Sequence, residues 1–160
     1  MRSARTVKCR HRFQAALAVL AVAGVVAGCG GSDENAKFGK AFGPVSVELR
    51  TVMTSVGQAV AARPTDTQMA SEFAGFATRL ATVKAHIDAL KPPSSLRTLV
   101  RSLSAAVGRL SADMRFIAAA ARSHQPAAAR AATVALVRDS QAASGAGRAI
   151  ARKTGTKVTP

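Results

Sequence analysis

The chain has 160 residues and a formal net charge of +15, because 23 Lys and Arg residues outnumber eight Asp and Glu residues. It contains no Trp and no Tyr, and aromatic rings are the usual platforms on which proteins stack sugars and unpaired bases. The composition therefore argues against a polysaccharide lectin and a single-strand nucleic-acid binder.

Residues 1–28 have the pattern of a secretory signal. The basic start MRSARTVKCRHR contains no acid, and the following FQAALAVLAVAGVVAG is apolar apart from Gln14. A membrane-spanning helix needs about 20 apolar residues, so this run is too short for a mature span. A basic start, a short apolar core and small residues at its end predict export and cleavage.

The signal ends in Val26-Ala27-Gly28-Cys29, which resembles the lipobox of bacterial prolipoproteins. The resemblance implies cleavage between Gly28 and Cys29, a thioether diacylglycerol on Cys29 and often an acyl chain such as palmitate on the new amine. Two or three acyl chains anchor a protein stably, whereas one binds only marginally. The protein is thus expected on the extracytoplasmic face of the cell membrane, or on the outer membrane of a Gram-negative source. The alternative is an ordinary secretory signal with a chance cysteine.

The exported chain retains one cysteine, because Cys9 leaves with the signal, so an internal disulfide is not expected. After Cys29 the sequence GGSDENAKFGK is Gly-rich and polar, which predicts a flexible tether over residues 29–43. Phe38 and Phe42 interrupt this polarity. We expect them to pack against the first helix, with insertion into the lipid interface as the alternative.

Four helices are predicted after the tether. The first spans about 44–62, with Pro44 in its first turn, where a missing N–H costs nothing. The second begins at Thr65, whose spacing from Gln68 is that of a capping box. Their apolar positions recur at intervals of four and three residues, the period of a helix with one buried face: Val45, Leu49, Val52 and Val56, then Met69, Phe73, Phe76, Leu80, Val83, Ile87 and Leu90.

The third helix follows the break at Pro92 and Pro93 and is capped by Ser94 or Ser95. Its stripe is Leu96, Val100, Leu103, Val107, Leu110, Met114, Ile117 and Ala121. The fourth spans about 126–152, opened by Pro126, with the weaker stripe Leu136, Ser140, Ala143, Gly147 and Ile150. A break at Gly145 and Gly147 is left open, since glycine disfavours a helix interior.

The short loops between these helices predict antiparallel neighbours, and hence an all-α, up-down four-helix bundle over residues 44–153. Residues 154–160 are expected to form a frayed tail. The alternative fold is an extended helical hairpin that completes its core by dimerising.

Candidate catalytic and metal-binding groups are few, so no enzyme activity, metal or cofactor is expected. His86 and His124 fall more than about 30 Å apart along the bundle, too far to share a metal. Glu72 and Asp113 could face each other as paired carboxylates, although Arg109, four residues before Asp113, could instead neutralise the pair at the surface. No His–Asp pair is placed to activate a serine.

Arg101, Arg115 and Arg122 lie on one heptad line of the third helix, with Gly108 in the remaining place. This line suggests a surface for anionic lipid head groups or cell-wall polymers, or for an envelope protein; the alternative is a solvated face enriched by codon bias. Export argues against nucleic acid as the partner. The sequence therefore favours a membrane-anchored, non-catalytic binding or scaffold module, with a helical carrier of a metal or small apolar ligand as the alternative.

Overall fold

The computed structural model describes residues 30–62 and 64–156, and over these residues the protein is entirely helical apart from its turns. The helices are α1 (Gly30–Ala61), α2 (Asp66–Ala89), α3 (Arg97–Arg122) and α4 (Pro126–Thr154), with a single 3₁₀ turn (Ser94–Leu96) before α3. The prediction of an all-α fold built from four helices is confirmed. In the described part of the chain, no helix is both long and apolar enough to cross a membrane.

Local sequence signals set most helix ends. At the start of α2, the Thr65 N–H donates to Gln68 Oε1 at 3.0 Å and the Gln68 N–H donates to Thr65 Oγ1 at 3.3 Å, which is the predicted capping box. Helix α4 opens with Pro126 and is capped after Thr154 by Gly155, which adopts the left-handed conformation with φ of 68°. It continues unbroken through Gly145 and Gly147.

The start of α1 differs from the prediction. The helix begins at Gly30 rather than at Pro44, so the expectation of a flexible tether is wrong for residues 30–43. Phe38 and Phe42 are buried, and their rings stack with centroids 6.1 Å apart. They extend the stripe of the first helix backward at the same four-and-three spacing. Burial of two aromatic side chains offsets the cost of Pro44 inside the helix, where it removes one backbone hydrogen bond.

The four helices run up-down-up-down. Ser95 Oγ donates to Asn35 Oδ1 at 2.9 Å, which places the starts of α1 and α3 at one end of the bundle. At the opposite end, His124 Nδ1 lies 2.7 Å from Asp66 Oδ2, which joins the end of α3 to the start of α2. Helix α3 packs extensively on both α2 and α4, whereas α1 packs less closely on α2 and α4.

The core lies along the predicted stripes. The most deeply buried large side chains come from all four helices and the 3₁₀ turn: Val52, Leu80, Val83, Ile87, Leu96, Leu103, Val107, Leu110, Met114 and Ile150. A buried hydrogen bond also joins the two central helices, because Ser111 Oγ of α3 donates to the carbonyl oxygen of Ala77 of α2 at 2.8 Å. Such a pairing lets a hydroxyl sit in the interface without an unsatisfied donor.

A close approach fixes α1 against the end of α4. A Cβ atom built on Gly39 would lie 2.7 Å from Thr156 Oγ1 and 2.9 Å from Thr154 Cβ. Only glycine therefore fits at this position without displacement of its neighbours. Thr154 and Thr156 belong to the segment predicted to fray, yet Thr154 is the last residue of α4 and is buried.

Candidate functional site

A cleft of about 430 Å³ opens between α1, α3 and α4. Helices α1 and α4 form its walls and α3 its floor. Most of the lining is apolar: Phe42, Leu49, Met53, Leu103, Leu110, Ala143 and Gly147. Clefts of this size and character are where proteins hold small ligands.

Small side chains on α4 leave this space open. Ala143 and Gly147 face the cleft, and no atom lies within 4 Å of the position that a Cβ on Gly147 would occupy. Across the cleft, Leu49 and Met53 of α1 are only half-buried, so part of their apolar surface faces the open space. Gly147, predicted on the weaker stripe of the fourth helix, thus lies in the lining of the cleft.

The polar part of the lining lies on the two walls. Ser46 and Arg50 belong to α1, and Ser140, Ser144 and Arg148 belong to α4. Both arginines are exposed, and neither has a carboxylate oxygen within 4 Å among residues 30–62 and 64–156. The cleft therefore combines an apolar interior with uncompensated positive charge at its opening.

The structure places Arg101, Arg115 and Arg122 on the exposed face of α3, as predicted. Within the described chain, none of them forms an ion pair; Arg115 donates to Ser111 Oγ at 3.2 Å. At Gly108, the remaining position of this heptad line, the side chain of Lys84 passes close to α3. Its Cε lies 3.3 Å from the position that a Cβ atom on Gly108 would occupy. We call these three arginines the α3 arginine row. It extends about 30 Å from end to end at ~1.5 Å per residue, so its members do not converge on one small ligand.

The predicted Glu72–Asp113 pair does not form. Glu72 is exposed on α2, and the acid that stands near the buried Asp113 is Asp139 of α4. Asp139 is buried as well and accepts two hydrogen bonds from Arg138, at 3.1 and 3.2 Å. Arg109 Nε lies 3.2 Å from Asp139 Oδ1, so the predicted neutralising arginine pairs with a different carboxylate.

These environments shift the pKa values of Asp113 and Asp139 in opposite directions. Burial raises the pKa of Asp113, and the nearby charge of Asp139 raises it further, while Arg138 and Arg109 oppose the shift. The hydrogen bonds from Arg138 and Arg109 hold the pKa of Asp139 below its ordinary value, although burial opposes them. Asp113 Oδ2 is buried and has no hydrogen-bond partner in the described part of the chain. The proximity of Asp139 to Asp113 was not predicted, although Asp139 adjoins the stripe position Ser140 of the fourth helix.

Each of the two histidines contacts a different acidic side chain. His86 Nδ1 lies 2.8 Å from Glu48 Oε2 between α2 and α1, whereas His124 contacts Asp66 at the other end of the bundle. Across residues 30–62 and 64–156, no group of three or more His, Cys, Asp and Glu side chains is arranged to hold a metal ion.

Gly28 and Cys29, the predicted cleavage and lipidation residues, lie outside the described residues. No protein-family model, curated protein or solved structure matches this chain.

Proposed function

We propose that the protein is an exported, lipid-anchored binding protein of the cell envelope whose helical bundle carries a small, largely apolar ligand. The observation that supports this function is the cleft between α1, α3 and α4. Its volume of about 430 Å³ falls within the range of roughly 300–1,000 Å³ typical of small-molecule sites. Anchoring at Cys29 rests on the lipobox resemblance alone.

The chemistry of the lining favours binding without catalysis. No Asp, Glu, His, Cys or Lys lines the cleft, so it contains no group that exchanges a proton near neutral pH. The looser packing of α1 also gives a ligand a route of entry, because fewer contacts are lost when this helix moves outward.

A second candidate function is docking on an anionic surface through the α3 arginine row. The observation that favours it is that all three side chains are exposed and free of carboxylate partners in the described chain. Charge of one sign along a helix attracts anionic lipids or polymers over distances comparable to the Debye length.

A substitution that fills the cleft tests the carrier function. We expect Gly147→Leu to abolish binding of the neutral fluorescent probe phenylnaphthylamine, because the new side chain occupies the space that the probe would enter. Gly145→Leu is the matched control: it makes the same change two residues away, where space is also open but outside the lining. Circular dichroism verifies that both variants fold.

Two results would argue against the carrier. One is an unaltered protein that does not bind the probe, and the other is equal binding by the two leucine variants. Native mass spectrometry of protein extracted gently from its own membranes tests the anchor separately. A mass that begins at Cys29 and includes acyl chains supports lipidation, whereas an unmodified chain returns the protein to the ordinary secreted class.

A further inference from the structure

We propose that the cleft binds an anionic amphiphile, with its apolar chain between α1 and α4 and its carboxylate or phosphate held by Arg50 and Arg148. This inference rests on the proposed carrier function and names the chemical class of its ligand. It follows from the kind of polar groups around the cleft and from their positions.

The polar lining supplies hydrogen-bond donors and positive charge but no carboxylate. Arg50 and Arg148 bring two guanidinium groups, which are suited to the paired oxygens of carboxylates and phosphates. Ser140 and Ser144 add hydroxyl groups that make no hydrogen bond to the rest of the described chain. Ser46 already donates to the carbonyl oxygen of Gly43 at 2.7 Å. This set suits an anion and repels a cation.

The two arginines come from opposite walls. Gly39 of α1 lies beside Thr154 of α4, which fixes the antiparallel register of these helices. In that register Arg50 and Arg148 are offset by about 8 Å along the bundle axis, at ~1.5 Å per residue. Long, flexible arginine side chains can converge over such a distance on one head group. An anion between them also relieves the repulsion of two unpaired cations.

The apolar lining of the cleft suits the hydrocarbon chain of such a ligand. Leu49 and Met53 of α1 are half-buried and present open apolar surface to the cleft, above a floor that the buried Leu103 and Leu110 of α3 form. A free inorganic anion would leave this surface without a partner, and a neutral hydrocarbon would leave both guanidinium groups without one. An amphiphile satisfies both parts of the cleft at once.

The test compares ligands that share one chain and differ in head group. Isothermal titration calorimetry of the exported protein would use dodecanoate, dodecyl phosphate, dodecanol and dodecyltrimethylammonium below their micellar concentrations. We expect the two anions to bind about tenfold more tightly than dodecanol, because charge-assisted hydrogen bonds add to the same apolar contact. The cation should bind most weakly. The ratio of the affinities for dodecanoate and dodecyl phosphate shows whether the cleft prefers a fatty-acid carboxylate or a lipid phosphate.

The double variant Arg50→Gln with Arg148→Gln should lower the affinity for both anions about tenfold and leave dodecanol unchanged. The matched control, Arg79→Gln with Arg130→Gln, removes the same charge from exposed positions of α2 and α4 outside the cleft and should change none of the affinities. Anion binding that also disappears in Gly147→Leu locates the ligand in the cleft.

The outcomes separate this inference from the proposed function. Equal binding of dodecanol and dodecanoate, unaffected by the Arg50 and Arg148 substitutions, overturns the anionic head group and leaves an apolar carrier. Anion binding that survives Gly147→Leu overturns the location. Failure of every probe to bind overturns the carrier function itself.

Discussion

The environment of Asp113 makes the stability of the fold depend on pH. Because burial and Asp139 raise its pKa, the folded protein holds the proton of Asp113 more tightly than the unfolded chain does. This contribution to stability is complete below the unfolded value near 3.8 and is lost as the pH rises through the raised pKa. Asp139 contributes in the opposite way, because its pKa is lower in the folded protein than in the unfolded chain. Its contribution to stability is present above pH 3.8 and is lost as the pH falls through the lowered pKa.

Asp113→Asn should therefore stabilise the protein at neutral pH, by about 1 kcal/mol, because it removes a buried charge with an unpaired oxygen. The gain should shrink toward zero below pH 3.8, where Asp113 is protonated in both states. Urea unfolding at neutral and acid pH measures the difference between variant and unaltered protein.

Asp139→Asn is the control for this substitution. It leaves Arg138 and Arg109 without their carboxylate and should destabilise the fold at neutral pH. If Asp113→Asn also destabilises at neutral pH, then Asp113 acts as a charged partner of these arginines, contrary to the direction argued from its burial.

At the scale of the helices, local signals account for most boundaries, and tertiary contacts account for those that the sequence did not predict. The capping box at Thr65 and the prolines at 92, 93 and 126 act within a few residues of the helix ends. The start of α1 depends instead on a distant segment. Gly39 looks like a residue of a flexible linker, but its missing Cβ allows contact with Thr154 at the other end of the chain.

The difference between local signals and tertiary contacts also explains which parts of the candidate site could be predicted from the sequence. Gly147 and the exposed α3 arginine row follow from the period of one helix. The placement of Arg50 and Arg148 at one cleft, and of Asp139 near Asp113, depends on how two helices are rotated and shifted against each other. One helical turn of register would change the partners of each residue, and the periodicity of a single helix carries no information about that shift.

Gly39→Ala should destabilise the protein by about 1–3 kcal/mol, because the added methyl group would overlap Thr154 and Thr156. Gly57→Ala is the matched control in the same helix, with no neighbouring atom within 4 Å of its Cβ position. It should stabilise the protein by up to about 1 kcal/mol through helix propensity. Thermal unfolding measures both. Equal stabilisation by the two alanines would mean that residues 30–43 do not pack on α4.

The bundle as a whole has one end rich in exposed basic side chains. The starts of α1 and α3 and the ends of α2 and α4 meet there. The exposed cations of this end outnumber its exposed acids Asp33, Glu34 and Asp88: Lys37, Lys91, Arg97, Arg152 and Lys153. Because α1 begins at Gly30, a lipid on Cys29 would attach next to this end with no long coil between them. We call it the basic end.

The position of the basic end determines which side chains of the α3 arginine row could contact a membrane. Arg101 lies one turn from Arg97 at the basic end, whereas Arg122 is about 30 Å further along α3 at ~1.5 Å per residue. That distance exceeds the Debye length of about 8 Å at physiological ionic strength. In an anchored protein that stands on its basic end, Arg115 and Arg122 would therefore face a cell-wall polymer or an envelope protein rather than lipid head groups.

Vesicle binding by the unlipidated chain tests this orientation. Lys91→Gln with Arg97→Gln should weaken cosedimentation with phosphatidylglycerol vesicles by about tenfold or more, since each basic residue near the surface adds to the attraction. Arg115→Gln with Arg122→Gln removes the same charge and should change vesicle binding little. If instead the α3 variant loses vesicle binding as strongly, the bundle lies along the membrane with α3 against it. The α3 arginine row would then be the lipid-binding surface, and the lipid on Cys29 would have to permit that tilt.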